Sequence, residues 1–219
     1  MTIEELFRAI LTETYTELSP ETASFQYHFK DGILTILFEW SNGTTDWYNN
    51  LNFPATPYRG MRDRFFVHRG FLRVFKVIEK RLATPIHCPA VRSILIGGYS
   101  HGAAIAVLCQ EYCVYHRPDI AERIYGYGFG CPRVLWGIPA NSVKNRFRHF
   151  YVIRNDKDIV TRLPPFIFGF HHVGTLLSIQ SGKALSPIDA HRPENYIEAL
   201  QRTEKVGQRE VLPKKTPSA

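Results

Sequence analysis

Val91-Arg92-Ser93-Ile94-Leu95-Ile96-Gly97-Gly98-Tyr99-Ser100-His101-Gly102-Ala103-Ala104-Ile105-Ala106-Val107-Leu108 is the stretch that decides the fold. An apolar run enters G-x-S-x-G, and a helix-forming run of small and aliphatic residues leaves it. Strand, glycine-flanked turn and helix together read as a nucleophile elbow. The turn is so tight that a side chain at either flank would meet the neighbouring strand or helix, and glycine tolerates its backbone angles. Such an elbow holds the Ser100 hydroxyl at the tip of a sheet, aimed at a carbonyl carbon.

Outward from the elbow, residues 3–18 read as a helix, with Ile3, Leu6, Phe7, Ile10 and Leu11 on one face. Phe25–Phe29 and Ile33–Trp40 read as strands joined by Lys30-Asp31-Gly32, a hairpin signal. Helices are expected over Phe71–Leu82, 101–115 and Glu194–Gln201, and strands over Val91–Gly97, Ile124–Phe129, Phe147–Ile153 and Val173–Ile179. Strands alternating with helices predict an α/β fold, and the early hairpin makes its sheet mixed. Ser41–Arg62 has no periodicity and is rich in Asn, Pro, Gly and aromatic residues, as active-site lids often are.

The 219 residues suffice for one domain with a sizeable core. Residues 1–203 are expected to form it, with 204–219 a flexible basic tail. No stretch approaches the roughly 20 apolar residues of a membrane span. The acidic, amphipathic N-terminus has no secretory pattern. Cys88, Cys109, Cys113 and Cys131 show no metal-ligand spacing. Cys109 and Cys113 share one helical face and are expected as free thiols in the core, as in a reduced, cytoplasmic protein. The net charge of +7 reads as attraction to an anionic surface, such as lipid headgroups or nucleic acid, or as ordinary solubility; the scatter of the basic residues favours solubility, and nucleic acid is not an expected partner.

A serine hydroxyl becomes a nucleophile only when a base takes its proton, and the base needs a carboxylate to fix its tautomer. In this arrangement the chain order is serine, acid, histidine. The acid candidates are Asp158 and Asp156, in a loop after a strand. The base candidates are His171, His172 and His191; His191 precedes a helix whose Pro193 suits its first turn. The oxyanion of a tetrahedral intermediate needs donors. The His101 N–H is one, and Ser41, just past a strand, is placed to supply the other.

These segments resemble the class 3, fungal-lipase-like family of α/β-hydrolases, in order over about residues 30–200. Phe38-Glu39-Trp40-Ser41 with Asp46-Trp47 resembles the family's oxyanion segment. Val67-His68-Arg69-Gly70-Phe71 is similar to V-H-x-G-F, and Gly128-Phe129-Gly130-Cys131-Pro132-Arg133-Val134 to F-G-x-P-R-V. Asp158-Ile159-Val160-Thr161-Arg162-Leu163-Pro164-Pro165 resembles D-I-V-P-x-L-P-P, and His191 to Tyr196 resembles H-x-x-x-x-Y. The resemblance implies an α/β-hydrolase fold with a mostly parallel sheet. It favours a Ser100, Asp158, His191 triad with Ser41 and His101 at the oxyanion hole. It implies ester hydrolysis without cofactor or metal, on acylglycerols or other lipid esters, at a lipid–water interface.

Trp40, Tyr99, His101 and Ala103 depart from the family pattern, so acyl selectivity does not carry over. The expected lid or substrate-facing residues are Trp40, Trp47, Tyr48, Leu51, Phe53, Tyr58 and Tyr99; the aromatic segment from Trp47 to Tyr58 reads equally as a fixed wall packed on the core. Two other readings compete: a non-catalytic protein of this fold that binds a membrane or partner surface, and an acyltransferase with the same triad.

Overall fold

The computed structural model describes residues 1–18, 24–40, 54–58, 63 and 65–212. Its strands are β1 (Thr16–Glu17), β2 (Ser24–Lys30), β3 (Ile33–Phe38), β4 (Ala55–Tyr58), β5 (Phe65–His68), β6 (Ser93–Tyr99), β7 (Ile124–Phe129), β8 (Leu135–Trp136), β9 (Phe150–Asn155), β10 (Phe170–His171) and β11 (Thr175–Ile179). The α-helices are α1 (Ile3–Thr12), α2 (Arg69–Ile86), α3 (His101–His116), α4 (Asn141–Asn145), α5 (Pro193–Arg202) and α6 (Glu204–Gly207).

Seven strands form one sheet in the order β1-β2-β3-β6-β7-β9-β11. The β1/β2 and β2/β3 pairs are antiparallel, and every pair from β3/β6 to β9/β11 is parallel. The sheet is mixed and mostly parallel, flanked by helices, as in α/β-hydrolases. The β2/β3 hairpin turns at Asp31 (φ 52°) and Gly32 (φ 80°), both in the left-handed region that such tight turns require.

The alternation of β6 separates two cores. Ile94 and Ile96 face a core shared with α2 and α3, while Leu95 and Tyr99 face one shared with α1 and α5. The interior of α3, from Gly102 to Cys113, is wholly buried, which accounts for its small residues and the absence of a polar face. Cys109 and Cys113 lie in this helix with Sγ atoms 3.7 Å apart, as free thiols.

Several expectations shift; the bounds of α2, expected over Phe71–Leu82, and of β9, expected over Phe147–Ile153, move by two to four residues. The first helix stops at Thr12, not residue 18. The next residue, Glu13, is already extended, and the Tyr15 hydroxyl donates to the Ile10 carbonyl at 2.7 Å, satisfying the helix end. β6 runs on to Tyr99, so both elbow glycines before the serine belong to the strand. A second, four-stranded antiparallel sheet, β10-β8-β5-β4, was not anticipated; its pieces are two to four residues long, too short for a periodic signal.

Finally, residues 204–212 are not a frayed tail. α6 is followed by a bridge between Thr2 and Glu210, and Val211 donates to the Met1 carbonyl at 3.1 Å. The Tyr127 hydroxyl caps the Val211 carbonyl at 2.9 Å, and Val211 is buried. Residues 213–219 lie outside the described residues.

Candidate active site

Ser100 occupies the turn between β6 and α3 with φ 55° and ψ −120°, a strained backbone for a non-glycine residue. The flanking glycines make that turn possible. A Cβ on Gly98 would lie 2.3 Å from the Gly102 carbonyl oxygen, and one on Gly102 would lie 2.5 Å from the Glu39 oxygen. The chain leaving β3 therefore runs directly against the start of α3.

Ser100 Oγ lies 2.8 Å from His191 Nε2, and His191 Nδ1 lies 2.8 Å from Asp158 Oδ2. A carboxylate only accepts, so Nδ1 carries the proton and Nε2 is left to accept from the serine. The sequence left two acids and three histidines open on spacing alone, and the fold joins Asp158 and His191 to Ser100. Asp156 is exposed in the same loop. His172 Nε2 donates to the Thr161 carbonyl at 2.7 Å; burial holds that imidazole neutral, with its pKa lowered to about 4. His171 stands at the end of β10, packed against Phe166.

Asp158 is fully buried, and both its oxygens are engaged. Oδ1 accepts from the Val160 N–H at 2.8 Å, and Oδ2 accepts from His191 and from the Tyr196 hydroxyl at 2.6 Å. Three donors offset the cost of removing the charge from water. The loop itself is fixed by Asp158 N–H to the Asn155 carbonyl and Thr161 Oγ1 to the Asp158 carbonyl, both at 2.9 Å. The Tyr196 phenol is pushed well above its ordinary pKa, first by burial and then by the Asp158 charge, so it stays a donor.

His191 is held from behind. The Tyr99 hydroxyl donates to the His191 backbone carbonyl, and the Tyr99 ring stacks on the imidazole at 5.1 Å between centroids, 25° between planes. Asn155 Nδ2 donates to the Ala190 carbonyl at 2.9 Å, and the Asn155 N–H donates to Tyr196 at 3.1 Å. Gly130, at φ 56°, lets the backbone pass the imidazole: a Cβ there would be 2.8 Å from His191 Cε1. Sequence reasoning assigned no role to Gly130, Asn155 or Tyr196. The available signal was Tyr196, five residues beyond His191 across a helix start that turns it back toward the acid.

The remaining expected residues separate. His101 begins α3, where its N–H has no intrahelical acceptor; its half-buried ring packs against Phe71 at 5.6 Å, and burial lowers its pKa to about 4. Tyr99 was expected among substrate-facing residues, but it is buried in the core on the α1 side of the sheet. Tyr58, expected in the lid, is also buried, on β4 against Phe65, because β4 is tied into the second sheet. Trp40 packs partly buried beside Tyr99, with ring centroids 5.5 Å apart. Ser41, Trp47, Tyr48, Leu51 and Phe53 lie outside the described residues, as does most of the expected lid.

Comparison with known proteins agrees with this geometry. The family model described as lipase (class 3) matches residues 35–168. The chain is 30% identical over 146 residues to a lipase of Rhizomucor miehei, covering 64% of this chain and 39% of that protein. It is 27% identical over 110 residues to secreted mono- and diacylglycerol lipase 1 of Fusarium solani, covering 48% of this chain and 32% of that protein. The solved Rhizomucor miehei lipase–propeptide complex superimposes with a TM-score of 0.66 at 25% identity, covering 76% of this chain and 56% of that one. The chain thus spans less than half the length of the curated relatives it matches.

Proposed function

The chain belongs to the class 3 lipase family, and from that membership and the triad geometry we propose that it hydrolyses carboxylic esters through an acyl-enzyme. The observation that carries the reading is the unbroken series Ser100 Oγ, His191 Nε2, His191 Nδ1, Asp158 Oδ2, with 2.8 Å at each hydrogen bond. By analogy with the relatives, the substrates are acylglycerols or other lipid esters.

In the proposed reaction Ser100 Oγ attacks the ester carbonyl while its proton passes to His191 Nε2. Asp158 stabilises the imidazolium that forms and keeps its ring in register. The carbonyl oxygen gains the negative charge, which the His101 N–H and Ser41 stabilise; Ser41 enters on its sequence motif. As the intermediate collapses, the C–O bond to the alcohol breaks and His191 returns the proton to that alcohol. Water then attacks the acyl-Ser100 ester, again losing a proton to His191, and the carboxylic acid departs.

The test is hydrolysis of a chromogenic short-chain ester by the wild type and Ser100→Ala. The serine variant should lose at least about 10³-fold in kcat with its thermal midpoint preserved. Equal rates would remove the assignment. Release of the free acid, with no acyl product when alcohols are supplied, separates hydrolysis from acyl transfer.

A further inference from the structure

Twelve large hydrophobic residues of the described chain are exposed, and six of them gather at one corner, around the second sheet. Phe66 on β5 and Trp136 on β8 are paired across the sheet, with rings 5.6 Å apart, and both point outward. Ile138 follows β8, and Phe166, Ile167 and Phe168 form a short turn ahead of β10. Ile138 is 88% and Ile167 84% exposed, too open to be core residues that merely reach the surface.

The corner is rigid. Trp136 Nε1 donates to the Phe168 carbonyl at 2.8 Å, and the Gly137 N–H donates to the Gly169 carbonyl at 2.9 Å. Gly169, at φ 85°, closes the turn under Trp136, where a Cβ would lie 2.9 Å from the indole nitrogen. A surface already fixed in shape loses little conformational entropy when it meets a partner.

The surroundings are cationic. Within Cys131 to Thr175, Arg146 is taken up by ion pairs with Glu111 and Asp63, so the cations that bear on the corner are the exposed ones nearest it. Lys144, Arg148 and Arg162 are exposed, and Arg148 is ion-paired with Glu122. Arg133 donates to the carbonyls of Arg162 and Pro164, tying the stem of the Phe166 turn. A cavity of about 520 Å³ opens beside Ile138, walled by Leu135, Phe147, Lys144, Arg148 and His171.

We propose that this corner is a docking surface for an anionic lipid bilayer, with the Trp, Phe and Ile side chains entering the interface and Lys144, Arg148 and Arg162 meeting its headgroups. The proposal rests on the ester-hydrolase reading and deepens it by naming the surface from which the substrate comes. Aromatic and aliphatic residues rimmed by Lys and Arg are the composition that anchors peripheral proteins in the headgroup layer. A second copy of the chain fits less well. Across a two-fold contact Lys144 and Arg162 would face cations of the other copy, in a protein already at +7.

The test is co-sedimentation of the full chain with vesicles of phosphatidylcholine alone and of phosphatidylcholine with phosphatidylserine. Binding should be at least about tenfold stronger to the anionic vesicles and should weaken as salt is raised. Ile138→Ser with Ile167→Ser should lower that binding about tenfold or more, and so should Lys144→Glu with Arg162→Glu. Both double variants should keep wild-type rates on a soluble short-chain ester. Ser100→Ala should bind vesicles as the wild type does, which separates failure of docking from failure of catalysis. Equal binding to both vesicle types, or unchanged binding by either double variant, overturns the proposal. So does a dimer in analytical ultracentrifugation that Ile138→Ser with Ile167→Ser dissociates.

Discussion

The run from Asp158 to Phe168 crosses between two opposite environments. At its start a carboxylate is fully buried and accepts three hydrogen bonds. At its end Phe166 and Ile167 are largely exposed. Either arrangement alone is unfavourable: a buried charge must be paired, and exposed apolar surface orders water around it. The triad end is offset locally by donors that the fold brings to Asp158. At the corner Ile138 and Ile167 keep most of their apolar area exposed, and that area gains when a partner surface covers it. Polar pairing satisfied inside the chain marks chemistry, and apolar surface left unsatisfied marks association.

The comparison breaks first if the buried acid is dispensable. Asp158→Asn should lower kcat on a soluble ester by about 10³- to 10⁴-fold, because an amide at this position favours the wrong imidazole tautomer. A loss below tenfold would show that pairing at this carboxylate is structural.

The tyrosines sharpen it. Tyr196→Phe removes a bond to a charged acceptor and should cost roughly ten- to a hundredfold in kcat/KM. Tyr99→Phe removes a bond to a neutral carbonyl while keeping the ring on the imidazole, and should cost about fivefold. The reverse ranking would mean that support of the His191 backbone outweighs support of the acid.

The smallest effect is on stability against pH. Burial, first among the causes, lowers His68, His101 and His172 to about 4 from 6.5. Between those values the unfolded chain binds more protons, so these groups contribute stability above pH 6.5 that is lost as pH falls to 4. Glu111, fully buried and bonded to Arg146 at 2.8 Å, is raised by burial from 4.5 to about 7. Its sign is opposite: stability falls as pH rises through that window. Three groups against one predict that urea midpoints increase from pH 4.5 to 6.5, and that His172→Gln flattens the rise. A flat or falling profile would show that the imidazoles are not held neutral.

Legibility in the sequence followed range. The β2/β3 hairpin, β7, α3 and the elbow were readable because their signals lie within a few residues: alternation, a glycine turn, a small-residue helix. Where local signals compete, boundaries moved. Gly98 and Tyr99 read as turn, yet parallel pairing with Gly128 and Phe129 of β7 keeps both in the strand. Tyr58 and Tyr99 read as lid or substrate-facing residues, with a core-packed wall equally open for Tyr58, because aromatic residues suit lids and cores alike; burial is set by the layer that covers them. Residues 204–212 read as a tail because the contacts that hold them come from Met1, Thr2 and Tyr127.

By itself the sequence determined a strand–elbow–helix, a mixed α/β sheet and the residue types of a serine-centred reaction, since steric limits at a turn and side-chain periodicity act on neighbouring residues. Tertiary structure decided which acid and which histidine meet Ser100, 58 and 91 positions away in the chain. It also turned Tyr99 inward behind the imidazole and assembled an apolar corner from short pieces far apart in the chain. The reason is common to all three. A hydrogen bond of 2.8 Å or a contiguous patch depends on packing between distant segments, and no local pattern encodes that distance.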